Sequence, residues 1–181
     1  MNARRALALL LGLLLTLSVH AAAPPQIQSE LPGARLAGQG AFRWFGLHIY
    51  DAQLWVGDQG YNPAAPTAAP FALDLKYARA LVGRKIAESS RDEMQKLGYG
   101  TPEQRALWLT KMTALFPDVQ DGTHITGIYL PASGARFYLD GKALGEIADP
   151  AFGRAFFAIW LDAKTTGGKL RQALLTDAAA R

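Results

Sequence analysis

Leu47-His48-Ile49-Tyr50-Asp51-Ala52-Gln53-Leu54-Trp55-Val56 is the stretch that decides the fold. It is rich in β-branched and aromatic residues, the composition of a half-buried pleated surface, and reads as a strand. Working outward, Arg35 to Phe45 has the same character, and Gly46 divides the two. On the other side, residues 57–70 carry Pro63, Pro66 and Pro70 and read as a surface loop. Phe71 to Tyr77 then alternates apolar and polar over its second half, which predicts a strand with one solvated face.

Helical signals follow. Leu81 to Leu97 spaces Ile86, Met94 and Leu97 among charges, and Gly98 ends it. Thr101-Pro102-Glu103-Gln104 is a helix start: threonine caps, proline needs no N–H in the first turn, and glutamine reaches back to the cap. Leu107, Trp108, Met112 and Leu115 fall on one face. A second strand block runs from Thr123 to Leu130, then Ala135 to Leu139 and Lys142 to Leu144, around Asp140-Gly141, a pair suited to the positive φ angles of a tight hairpin. Asp149-Pro150 opens a very apolar helix with Phe152, Phe156, Ile159 and Trp160, and a last helix carries Leu170, Leu174 and Leu175. Strands, two helices, strands, two helices imply an α+β fold: an antiparallel β-sheet with helices packed on one face, as an open-faced sandwich.

The N-terminus speaks to compartment. Arg4 and Arg5 precede an apolar run from Ala6 to Leu17, short for a membrane span, followed by small residues at Val19-His20-Ala21. This is the pattern of a signal peptide over residues 1–21, removed on export to the periplasm. Residues 22–33, with Pro24, Pro25 and Pro32, read as a flexible lead-in, and 34–178 as one domain of ordinary size. Half of the formal charge of +4 belongs to the leader, and no basic stripe is left to mark a nucleic-acid surface. With no cysteine in the chain, packing alone must hold the fold, and thiolate chemistry is excluded.

Gly38-Gln39-Gly40, Tyr50-Asp51-Ala52-Gln53-Leu54-Trp55, Leu73 to Arg79, Phe116-Pro117-Asp118-Val119, Asp149-Pro150-Ala151-Phe152, Ala155 to Leu161 and Leu170 to Leu175 form an ordered set. Over residues 34–176 it resembles the bacterial chalcone isomerase-like family, distant relatives of plant chalcone isomerases and plastid fatty-acid-binding proteins. The resemblance implies an open antiparallel sheet with a ligand cleft under its helices. It implies, for the enzymes, an arginine, a threonine, a tyrosine and an asparagine around a chalcone. Here Tyr50 occupies the threonine's position, as in the fatty-acid binders, where the tyrosine meets the lipid carboxylate beside an arginine. That arginine's position falls on Gly38, with Arg35 and Arg43 nearby but out of register. The helical tyrosine and asparagine fall on Val82 and Ser89, with Tyr77 able to compensate. The enzyme's constellation is broken.

Candidate ligand-binding residues are therefore Arg43, Tyr50, Tyr77 and Arg79. Arg43 with Tyr50 supplies a cation and a phenol if they converge, though Arg43 reads equally as a solvated strand residue and Tyr50 as a core tyrosine. Lys76-Tyr77-Ala78-Arg79 flanks a cleft mouth or simply ends a strand. His48 and His124 make no local metal pair, and no metal or cofactor is expected. Three readings follow. One is a non-catalytic holder of a small apolar or amphipathic ligand such as a fatty acid. Another is an isomerase cyclising a chalcone-like phenol. The third is a structural or partner protein without a cavity.

Overall fold

Side chains that alternate between the two faces of the strands, and apolar stripes along the helices, produce one sheet with a thick helical cover. The computed structural model describes residues 22–180; the signal segment expected over 1–21 lies outside the described residues. The elements are α1 (Pro25–Glu30), β1 (Arg35–Trp44), β2 (Leu47–Val56), β3 (Phe71–Tyr77), α2 (Gly83–Lys96), α3 (Pro102–Leu115), β4 (His124–Leu130), β5 (Gly134–Leu139), β6 (Lys142–Ile147), α4 (Pro150–Leu161) and α5 (Gly168–Leu174). The six strands lie in chain order, each antiparallel to the next. This is the α+β open-faced arrangement read from the sequence.

Cross-strand register fixes what each face carries. Tyr50 opposes Tyr77, Ala52 opposes Leu75 and Leu54 opposes Leu73, and all six belong to the core under the helices. The apolar α4 lies over the middle of the sheet, with Phe152, Phe156 and Phe157 packed against Phe137, Phe71 and Tyr129. Its start is fixed by Asp149, which accepts from the N–H groups of Ala151 and Phe152 and from Trp108 Nε1 of α3 at 2.8 Å. The Thr101–Gln104 capping box forms at the start of α3 as expected. Asp140 and Gly141 take φ of 47° and 79° in the β5–β6 hairpin.

Three expectations are corrected. Its spacing puts Leu107 with Trp108 and Met112 on one face of α3, yet it is 53% exposed. Its neighbours alone complete the stripe. The strand Phe71–Tyr77 was expected to have one solvated face, yet only Lys76 is exposed. The cover on its far side comes from residues 22–33, where a flexible lead-in was expected and a helix stands instead. Ile27 and Leu31 of this segment insert against Trp55, Ala72 and Ile128. Glu30 pairs with Arg136 at 2.6 and 2.8 Å, and Gln26 donates to Thr126. Helices α2 to α5 thus share one face, while α1 caps part of the other.

Gly38 lets α5 close on β1. A Cβ there would sit 2.1 Å from the Ala173 carbonyl oxygen, nearer than any real contact. The chain after α5 continues along the same edge: Asp177 N–H donates to the Ala37 carbonyl, and Arg35 reaches the carbonyls of Asp177 and Ala179.

Candidate functional site

The open end of the sheet next to the β1–β2 hairpin holds a cleft. Phe42 and Trp44 of β1, Tyr50 of β2 and Leu75 and Tyr77 of β3 form its floor. Helix α2 supplies one wall through Ile86, Ser89 and Glu93, and α4 the other through Phe156, Ile159 and Trp160. Its volume is about 420 Å³ and its lining is mostly apolar, within the size range of small-molecule sites, about 300–1,000 Å³.

Tyr50 is the best-fixed polar group in it. The ring stacks on Phe42 at a centroid distance of 5.1 Å and meets the edge of Tyr77 at 6.0 Å. Trp160 Nε1–H donates to the Tyr50 hydroxyl oxygen at 3.0 Å, so the hydroxyl's own proton stays available to an acceptor in the cleft. Burial raises the Tyr50 pKa well above its ordinary 10; the Trp160 hydrogen bond opposes this only in part. Tyr77 is raised likewise, first by burial and then by Tyr50. At neutral pH the pair therefore presents two neutral donors and no phenolate.

The charged groups sit on α2. Lys85 and Lys96 both line the cleft, but each already faces an acid: Lys85 meets Glu88 at 2.8 Å and Lys96 meets Glu93 at 2.6 Å. Glu93 also accepts from the Thr166 hydroxyl at 2.9 Å, tying α2 to the α4–α5 connection across the cleft.

Of the four candidate residues, the fold brings Tyr50 and Tyr77 together and leaves Arg43 and Arg79 outside. Phe42 and Trp44 both line the cleft, so strand alternation turns the intervening Arg43 away, and it is exposed. Arg79 lies beyond the end of β3, also exposed and not in the lining. Arg35, the other nearby cation, is occupied with the C-terminal segment. At Gly38, the position that the resemblance implied for an arginine, the α5 backbone leaves no room for any side chain. The histidines are engaged elsewhere, His48 with Asp51 and His124 with Asp74.

Sequence reasoning did not select Glu93 or Lys96, and met Ser89 only through the resemblance. The signal was present: Ile86, Ser89, Ser90 and Glu93 follow one helical stripe, with two small hydroxyl residues where a packed stripe would carry large apolar ones.

Comparison with known proteins agrees with the architecture. A crystal structure of a fatty-acid binding protein from Arabidopsis thaliana superposes with a TM-score of 0.64, covering 81% of this chain and 89% of that one at 13% identity, a likeness of fold. An uncharacterized protein of Haemophilus influenzae is 29% identical over 138 residues, which is 76% of this chain and 66% of that relative, just under two thirds of its length. The chalcone isomerase-like family model matches residues 19–176, nearly all of the folded domain and a little of what precedes it. On that match, the chain belongs to the chalcone isomerase-like family.

Proposed function

We propose that this protein is a non-catalytic holder of a small apolar or amphipathic molecule, of which a fatty acid is the leading candidate. The chain would lie along the apolar cleft between the sheet and α2 and α4. The polar end would accept hydrogen bonds from Tyr50 and Tyr77. The observation that carries this reading is the Tyr50 hydroxyl: its oxygen is taken by Trp160, and its proton is left to a guest in a mostly apolar cleft. The fatty-acid binding function of the Arabidopsis neighbour is in keeping with it.

The non-catalytic part of the proposal rests on charge. Ring closure of a chalcone needs a stabilised phenolate and a group to bear enolate charge. No arginine lines the cleft to hold a substrate phenolate, and its two lysines, Lys85 and Lys96, already face Glu88 and Glu93. The open cleft favours a ligand binder over a scaffold with a sealed interior. Export to the periplasm, expected from residues 1–21, completes the proposal, and cell fractionation with N-terminal sequencing checks it.

The direct test is native mass spectrometry of the purified protein, followed by displacement of a fluorescent fatty acid. Co-purifying lipid, and an affinity weakened about three- to tenfold by Tyr50→Phe, are expected from loss of one hydrogen bond. A protein that emerges empty and ignores fatty acids from eight to eighteen carbons (about that span) defeats the reading. Acceleration of 2′-hydroxychalcone closure above the spontaneous rate would restore the isomerase.

A further inference from the structure

A second cavity lies at the opposite end of the sheet, under the β2–β3 loop and between α4 and α5. It has a volume of about 370 Å³ and shares no lining residue with the Tyr50 cleft. Its floor is aromatic: Tyr61 meets Phe71 edge-on at 5.3 Å, Phe71 stacks on Tyr129 at 4.9 Å, and Phe157 closes the group. Unlike the first cleft, it is lined by two guanidinium groups, Arg154 from α4 and Arg171 from α5.

The hydrogen-bond accounting of this cavity is one-sided. The Tyr61 and Tyr129 rings are buried, while their hydroxyls reach the cavity space and have no protein partner among the described residues. Arg154 makes no hydrogen bond or ion pair among the described residues either. Arg171 is anchored through Nε, which donates to the Leu161 carbonyl at 2.8 Å, and its two terminal nitrogens have no protein acceptor there. The one carboxylate in the lining, Asp162, already accepts from the Tyr99 hydroxyl of the same lining at 2.9 Å and from Lys164 N–H at 2.8 Å. Here two phenols and two guanidiniums line a cavity that opens to solvent, with Asp162 as its one carboxylate. Burial pushes the Tyr61 pKa up to about 12, with Arg171 opposing, and raises Tyr129 with Arg154 opposing, so both stay donors at neutral pH.

We propose that this second cavity is a binding site for a small monocarboxylate with a compact apolar or aromatic body. The two arginines and two tyrosine hydroxyls take the carboxylate, and the Tyr61–Phe71–Tyr129–Phe157 floor takes the body. Two cations against one internal carboxylate leave a single positive charge to match, which selects a monoanion over a phosphate dianion. Guanidinium–carboxylate contact supplies the strength, and the volume sets the size limit.

Calorimetric titration of the purified protein with benzoate and hexanoate tests this, with benzyl alcohol and hexanol as neutral counterparts and inorganic phosphate as the competing anion. Saturable binding of a carboxylate, at least about tenfold tighter than its alcohol, is expected. Arg154→Gln, at an exposed position with no protein partner, should keep the fold by circular dichroism and weaken benzoate about tenfold. The double variant Tyr61→Phe/Tyr129→Phe keeps the aromatic floor and should weaken it by about the same factor. Tyr50→Phe should leave benzoate binding unchanged, so this site and the fatty-acid cleft fail or stand separately. The proposal is overturned if neither carboxylate saturates, if the alcohols or phosphate bind as tightly, or if the Arg154 and tyrosine variants bind like the parent. Amide shifts on benzoate addition that centre on Tyr50 and Trp160 would overturn it too.

Discussion

The two faces of the sheet are stabilised by different physics. Under α2 to α5 the contact is almost wholly apolar, an aromatic cluster of Phe71, Phe137, Phe152, Phe156 and Phe157 in edge and stacked contacts. On the far side a short helix holds on through two apolar anchors, Ile27 and Leu31, and a run of polar pairs. Asp74, 3% exposed, accepts from the Thr126 hydroxyl and meets His124 Nδ1 at 2.7 Å; Gln26 donates to Thr126; Glu30 takes Arg136 and the Tyr138 hydroxyl. A broad apolar contact tolerates the loss of one polar group; a network this small does not. The helical face should therefore set global stability, and the far face the local order of α1.

The sharpest way to break that contrast is in the aromatic cluster. Phe137→Ala should cost about 3–5 kcal/mol in urea unfolding, since the cavity it leaves is walled by rings that cannot collapse. A loss under about 1 kcal/mol would show that the cluster does not govern stability. Next, Ile27→Ala should cost about 2–3 kcal/mol. Its signature is hydrogen exchange: α1 amides lose protection while those of α4 do not, and uniform loss across both would merge the two faces into one unit. Asp74→Ala leaves the buried Thr126 hydroxyl without its acceptor and frees the His124 ring, at about 2 kcal/mol. Asp74→Ala matching Phe137→Ala in size would invert the comparison.

The smallest effect is electrostatic. Burial alone would raise the Glu30 pKa, but the Tyr138 and Arg136 contacts outweigh it and hold the carboxyl below its ordinary 4.5. A carboxyl depressed in the folded state contributes stability above its unfolded pKa and loses it as pH falls through the folded value. Between about pH 7 and about pH 3, Glu30→Gln should therefore lose less stability than the parent. Parallel denaturation curves for the two proteins over that window would remove the Glu30 pair from the account.

What the sequence showed and hid follows the range of the forces. Cap boxes and the Asp140-Gly141 turn depend on neighbours within a few residues, and Thr101, Asp149 and Gly141 all behave as their local chemistry dictates. Helix α1 escaped because its six residues are punctuated by proline and owe their order to Trp55, Ala72 and Ile128, which no local pattern announces. In the site, Tyr50 and Tyr77 were legible as residues, but their pairing is a matter of register between β2 and β3. Arg43 misled because charge says nothing about which face a strand residue takes; the flanking Phe42 and Trp44 settle that. The second cavity was invisible for a plainer reason. Tyr61, Tyr129, Arg154 and Arg171 come from a loop, a strand and two helices that only the finished fold assembles.

An open sheet has two borders where foreign strands can attach, and this one guards them unequally. The β6 border carries Lys142 and Glu146 and is kinked by a register shift with Gly145 at φ 153°. Charge and irregularity already discourage templating there. The β1 border depends instead on residues 176–180, through the Asp177 bond to Ala37 and the Arg35 clamp. Trimming those few residues would remove Ala178 from the core and its bond to Tyr61, and would bare unpaired backbone of β1 to strand addition.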